Sequence, residues 1–180
     1  MKNVWPERLR EKMLETFPAI KKMADENQIC KRKGVGAAIL EIDTHEGTIS
    51  TFTAINGPSG PKNECSNVVG ACGCAHAEPR VIMKYLKHLT IRASAYSLQV
   101  ATPKKTILLS TYSPCVPCAN VTIDSGIIDV FAYEIWTEHW NKHPFHADDA
   151  LLNSDIAYWT YGQICDDIYG VGLMKDLLRK

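Results

Sequence analysis

His76-Ala77-Glu78 and Pro114-Cys115-Val116-Pro117-Cys118 are the stretches on which the reading of this chain turns. An imidazole and two thiols fill three corners of a zinc tetrahedron and leave the fourth open to water, while a carboxylate two residues from the histidine can move that water's proton. His76, Cys115 and Cys118 are therefore the expected zinc ligands, and Glu78 the expected acid–base group. Glu78 cannot easily reach the same metal from the turn that already supplies His76. A closed structural site would need another protein donor, for which Cys74 is the nearest candidate. Taken alone, the two cysteines of Cys115-x-x-Cys118 also read as a redox pair.

Local signals place both stretches at helix starts. After His76, the residues Glu78, Ile82, Tyr85, Leu86 and Leu89 share one helical face, and Pro79 is tolerated because first-turn N–H groups have no intrahelical partner. Ile107, Leu108, Leu109 and Thr111 read as a buried strand aimed at Ser113 and Pro114, with a helix from Cys115 to about Ser125 and Gly126 as its breaker. Helix N-termini favour thiolate charge. Further out, Val35 to Ile42 and Thr48 to Ile55 predict a β-hairpin across a polar turn, and Ile127 to Tyr133 predict another strand. Leu9, Met13, Leu14, Phe17, Ile20 and Met23 recur at helical spacing, with Pro18 expected to interrupt or kink the run. A hairpin followed by alternating strands and helices predicts an α/β fold with a mixed sheet. Residues 56–75 are a long glycine-rich loop, of a kind that is usually functional. Ile164, Ile168, Val171, Leu173, Met174, Leu177 and Leu178 suggest a broken terminal helix.

With 180 residues, 46% of them hydrophobic, the chain can bury one sizeable core, and residues 1–180 read as one domain with an extended C-terminal tail. Basic and acidic side chains both number 20, so no net positive field gathers nucleic acid, and a small-molecule substrate is favoured. No run approaches the length of a membrane span or a secretory apolar region. The seven cysteines, an odd number, fit a reducing compartment better than a disulfide scaffold, so a cytoplasmic location is expected.

The H-x-E and P-C-x-x-C pair resembles the signature of zinc-dependent nucleobase deaminases. From about Cys30 to Tyr133 the chain resembles the cytidine deaminase superfamily, most of all its deoxycytidylate (dCMP) deaminases and among these the phage type. Cys30 to Ala37, C-K-R-K-G-V-G-A, is similar to the segment that opens their first strand, and Ile55 to Gly60, I-N-G-P-S-G, to their N-G-x-x-x-G loop. The resemblance implies a three-layer α/β/α fold with a five-stranded mixed sheet and the two zinc-bearing helices beneath it. It implies catalytic zinc, hydrolysis of dCMP to dUMP with release of ammonia, and a homo-oligomer, commonly a hexamer. It also implies that Asn56 contacts the nucleotide sugar and that Gly57, Ser59 and Gly60 lie near phosphate or, in allosteric members, near a nucleoside triphosphate effector with Mg2+. Ala77, Ser113 and Pro114 would belong to the substrate pocket. Cys30, Cys65, Cys72 and Cys74 either hold a second, structural zinc, as in some phage-type members, or are reduced thiols without metal.

Some features depart from the family pattern. Arg80 stands where H-A-E-x-N-A has asparagine, and it can pair with an acidic neighbour or meet a phosphate bidentately. Tyr133 is the positional candidate for the aromatic that stacks on the base, with Tyr112 and Trp136 close behind and a core role open to each. Deamination of dCTP or of a modified deoxycytidine nucleotide is an alternative, because those substrates differ only at the pocket edge. Guanine and tRNA-adenosine deaminases also use H-A-E, whereas the family acting on free cytidine usually carries C-A-E. Neutral charge and the lack of an obvious aromatic-basic stripe argue against nucleic-acid substrates. Outside enzymes, a zinc-stabilised binding module would require Cys74 to close the tetrahedron.

Overall fold

Alternate residues of the segment Gly36–Asp43 enter two different cores: Ala37 and Ile39 point into one, Ala38 and Leu40 into the other. A strand apolar on both sides needs a layer over each face. The computed structural model supplies them, and it describes residues 7–43, 46–59, 64–68, 72–95, 105–127, 129–134, 154 and 157–160. The elements run α1 (Glu7–Asp25), β1 (Gly36–Asp43), β2 (Thr48–Ile55), β3 (Gly57–Pro58), β4 (Cys74–Ala75), α2 (Ala77–Ala95), β5 (Lys105–Tyr112), α3 (Val116–Asp124), β6 (Asp129–Glu134) and β7 (Ala157–Thr160). Five strands form one mixed sheet in the order β2-β1-β5-β6-β7. The first two junctions are antiparallel, and the pairings of β5 with β6 and of β6 with β7 are parallel.

Helix α1 covers one face, packing Leu9, Met13, Phe17 and Ile20 on Ala38, Leu40, Ile107 and Leu109. Helices α2 and α3 cover the other, where Val81, Ile82, Tyr85 and Ala119 meet Ala37, Ile39, Leu108 and Val130. This is the expected three-layer α/β/α arrangement. Glu41 is the charged side chain buried on the α2 face, 2% exposed, and it receives Arg92 Nη1 at 3.2 Å and the Tyr85 hydroxyl.

Two expectations need correction. The helix runs unbroken through Pro18. The lost hydrogen bond and ring clash cost about 3 kcal/mol, but Phe17 and Ile20 are fully buried on either side and each contributes roughly 1.5–3 kcal/mol. The glycine-rich segment 56–75 is not wholly irregular, because β3 and β4 pair antiparallel, Gly57 with Ala75 and Pro58 with Cys74. Close to the end of the chain, β7 joins the sheet edge, an element the sequence pattern did not signal; the terminal helix expected over 164–178 lies outside the described residues.

Glycine is required where α1 meets β1. A Cβ on Gly34 would fall 1.6 Å from the Ala24 carbonyl oxygen, and one on Gly36 would fall 2.4 Å from that of Ile20. Among the described residues no helix is long and apolar enough to cross a membrane.

Candidate metal centre

Helix α2 begins at Ala77, so His76 stands at its threshold, with its carbonyl accepting the Arg80 N–H at 3.4 Å. Cys115 caps α3 in extended conformation, φ −75° and ψ 164°, and its carbonyl accepts the Ala119 N–H at 2.8 Å. Cys118 follows one turn later. Positions three apart on a helix share a side, and the two sulfurs lie 3.3 Å apart. His76 Nδ1 is 3.4 Å from each of them. Tetrahedral bonds of about 2.3 Å to sulfur and about 2.0 Å to imidazole put ligand atoms roughly 3.5–3.8 Å apart. The triangle therefore fits zinc after opening by a few tenths of an ångström.

The charge of the donor set agrees with that fit. The hydrogen bond from Cys118, with His76 beside it, pulls the Cys115 thiol down to about 4. The same hydrogen bond and burial push Cys118 up, and the bond to Cys115 raises His76 to about 9. The protein groups alone thus hold a thiolate, a thiol and an imidazolium, two of whose protons a soft cation displaces on binding.

Glu78 lies in the first turn of α2, only 3% exposed. Burial pushes its carboxyl up to about 7, although its own backbone N–H and the charge on His76 pull the other way. Among the described residues its Oε2 has no hydrogen-bond partner. A buried acceptor left unmet costs about 1–3 kcal/mol, so this oxygen has room for a hydrogen-bond donor. A pKa close to neutral suits a group that takes up and returns a proton.

A second donor cluster adjoins the first. The sulfurs of Cys30, Cys65, Cys72 and Cys74 all lie within 4.8 Å of one another. They arrive from the turn after α1, from the loop at 64–68, and from both sides of Gly73. The Asn67 N–H, with that of Lys31, holds the Cys65 thiol down to about 7, while burial pushes Cys74 up. Asn67 sits at φ 62° to aim that N–H, and Ser66 N–H donates to the Cys72 carbonyl at 3.1 Å. Ordering such a loop costs roughly 1–2 kcal/mol per residue, and Val68 is 54% exposed, so apolar burial there offsets little of it. Four thiols suit a structural zinc, whose binding supplies about 10–16 kcal/mol in small domains. Neither cluster offers the oxygen donors that Mg2+ prefers.

The expected pocket residues are distributed around this pair of clusters. Asn56 is 6% exposed; its Oδ1 accepts from Val35 N–H and Asn27 Nδ2, and its Nδ2 donates to the Lys33 carbonyl, each at 2.8 Å. Arg80 Nη1 donates to the Pro58 carbonyl at 3.3 Å and has no acidic partner among the described residues, and a Cβ on Gly57 would lie 3.1 Å from that nitrogen. Ser59 is exposed, Ser113 and Pro114 are buried between β5 and Cys115, and the Ala77 methyl is in the core. Tyr112 is 7% exposed, with Lys33 Nζ 3.7 Å above its ring. The side chain of Tyr133, along with Gly60 and Trp136, lies outside the described residues. Sequence reasoning missed Asn27, which carries no periodic or motif signal, and gave no role of its own to Lys33 within the Cys30 to Ala37 stretch.

The profile described as the cytidine and deoxycytidylate deaminase zinc-binding region matches residues 10–134, which include both halves of the triad. The chain belongs to this deaminase family. Zinc-dependent hydrolytic deamination is accordingly its chemistry. No curated protein sequence matches it. The deaminase is similar in fold to the dCMP deaminase of cyanophage S-TIM5 in complex with dCMP and dUMP, with a TM-score of 0.54 and 19% identity over 87% of this chain and 98% of that one. The apo form of the same phage enzyme gives a TM-score of 0.52 and 20% identity over 87% and 99%. The Rib2 deaminase of Aspergillus oryzae in complex with DARIPP gives a TM-score of 0.53 and 12% identity over 92% and 95%.

Proposed function

We propose that the deaminase converts dCMP and water to dUMP and ammonia. The observation that carries this reading is the β3–β4 ladder. By pairing Pro58 with Cys74, it sets the polar segment Asn56–Ser59 beside His76. Arg80 braces that segment through the Pro58 carbonyl, and Lys33 stands over Tyr112 at the end of β5. An amide, a hydroxyl and a guanidinium carried by the segment next to His76 and by the first turn of α2 suit a base that carries sugar and phosphate. The phage relative whose complex holds dCMP and dUMP supports the same substrate.

His76, Cys115 and Cys118 would hold the zinc. Bound there, it supplies Lewis acidity that makes water a nucleophile near neutral pH. Glu78 takes a proton from the attacking water as the C4–O bond forms and gives it to ring nitrogen N3. It then takes the second proton of the added oxygen and delivers it to the exocyclic amine as the C4–N bond breaks, leaving a carbonyl and ammonia. The unmet Oε2 of Glu78 is the acceptor for both transfers. Asn56 would contact the sugar. Gly57, Ser59 and Arg80 would meet the phosphate, and Tyr133 would stack on the base.

The same reading places a structural zinc among Cys30, Cys65, Cys72 and Cys74, on the strength of four converging sulfurs. It makes the enzyme a homo-oligomer, supported by Met83, Leu86 and Ile91, which leave 65%, 37% and 57% of their surfaces exposed on α2. Ammonia release should be compared across dCMP, dCTP, deoxycytidine, cytosine, guanine and adenosine-containing RNA. The highest kcat/KM is expected for dCMP. A higher value for guanine, RNA or deoxycytidine would refute the substrate, and one for dCTP would relocate the error to the phosphate contacts.

A further inference from the structure

The two cysteine-bearing clusters are joined by one short piece of backbone. Cys74 belongs to the four-sulfur cluster, His76 to the triad, and only Ala75 separates them. That piece is β4, and its sheet partner is the two-residue strand β3. Cys115 and Cys118 hold their places through the first turn of α3, with an N–H···O bond at 2.8 Å from Ala119 to Cys115. His76 has less behind it. Its ring is exposed, and its carbonyl accepts a long bond of 3.4 Å from Arg80.

We propose that the four-cysteine cluster, with zinc bound, is a positioning site for His76, so that the triad's affinity for its own zinc depends on the cluster being filled. This rests on the structural-zinc reading above. With metal bound, Cys74 is fixed against Cys30 and Cys65, which are themselves buried, and β4 is held in register with Gly57 and Pro58. Without it, what keeps Ala75 and His76 in place among the described residues is the ladder's own two pairs, the Arg80 bond to Pro58 and the attachment of His76 to the buried start of α2 at Ala77. Supporting contacts behind a metal ligand commonly change metal affinity by about 10- to 100-fold. Coupling between two binding sites is also reciprocal: emptying the triad must weaken the cluster by the same factor.

The test uses the full-length protein purified with zinc, the metal itself as probe, and equilibrium competition against chelators of graded affinity. Co2+ substitution assigns each constant, since four thiolates and a two-thiolate, one-imidazole set differ in charge-transfer absorption. Wild type should hold two zinc ions per chain. Cys65→Ser should hold one, in the triad, bound about 10- to 100-fold more weakly than in wild type, and Cys65→His, which restores a donor, should recover the tighter constant. His76→Ala should weaken the cluster by the factor seen for the triad in Cys65→Ser. If Cys65→Ser does not fold, His76→Ala decides alone. Remaining sites that bind zinc within twofold of wild type in the folded variants would overturn the coupling while leaving the structural zinc standing. One zinc per wild-type chain would overturn both.

Discussion

Glu78 follows His76 by two residues, yet the imidazole is exposed while the carboxylate is 3% exposed and, among the described residues, lacks a partner for Oε2. The start of α2 thus separates a group that can hold metal from one that can hold a proton. Glu78→Gln keeps the shape and removes the proton acceptor. It should retain zinc by metal analysis and lose roughly 10²- to 10⁴-fold in kcat. Turnover within threefold of the parent at saturating substrate would remove Glu78 from the mechanism.

The same burial gives a pH signature in protein stripped of zinc. Because the folded carboxyl is raised from 4.5 to about 7, the folded state binds the proton more tightly than the unfolded chain. Its contribution is fully present below about pH 4.5 and is lost as pH rises through 7. Glu78→Gln carries no such charge. In chelator-treated samples the variant should be more stable than wild type by about 2–3 kcal/mol above pH 7, with the gap closing towards pH 4.5. Urea titrations at a series of pH values measure it, and a gap that does not vary with pH would contradict the assigned burial.

Asn56 ties Asn27, Lys33 and Val35 to the start of β3 through three bonds of 2.8 Å. Asn56→Ala leaves the Val35 N–H and the Lys33 carbonyl without this partner, at about 1–3 kcal/mol for each buried group left unmet. Lower thermal stability together with a raised KM for dCMP is expected. Asn56→Asp, which retains Oδ1, should fall between the two in denaturant midpoint.

At Gly36 the neighbour that a new methyl would strike is backbone, the Ile20 carbonyl oxygen at 2.4 Å. Gly36→Ala should therefore displace α1 and cost about 1–3 kcal/mol. At Gly47 a Cβ would meet only Arg8 Nη1, at 3.7 Å, and the penalty comes from φ +64° alone. Gly47→Ala should cost about 1 kcal/mol. The reverse ranking in urea midpoints would mean that α1 can slide on the sheet.

Much of this architecture was legible because it is periodic. The β-rich runs Val35 to Ile42 and Thr48 to Ile55 on either side of a polar turn predicted the hairpin, and its register runs from Gly36 opposite Ile55 to Asp43 opposite Thr48. The helix starts at His76 and Cys115 were legible from the apolar face that follows His76 and from the motif spacing, and with them the triad. Strands β3 and β4 were not, since two residues have no period. Pro18 misled because a local rule says nothing about how deeply Phe17 and Ile20 are buried. The Arg80 contact with Pro58 and the Asn27 contact with Asn56 join residues 22 and 29 positions apart and exist only once the chain has folded.

Helix α1 contributes no side chain to either cysteine cluster, yet it is the layer that keeps Ala38, Leu40, Ile107 and Leu109 from water. A truncated enzyme beginning at Cys30 would keep every metal ligand and present that apolar sheet face to solvent. Continuous apolar surfaces of this kind drive self-association. Such a fragment is expected to form insoluble aggregates on expression, so the segment that looks dispensable for the chemistry sets the shortest usable enzyme.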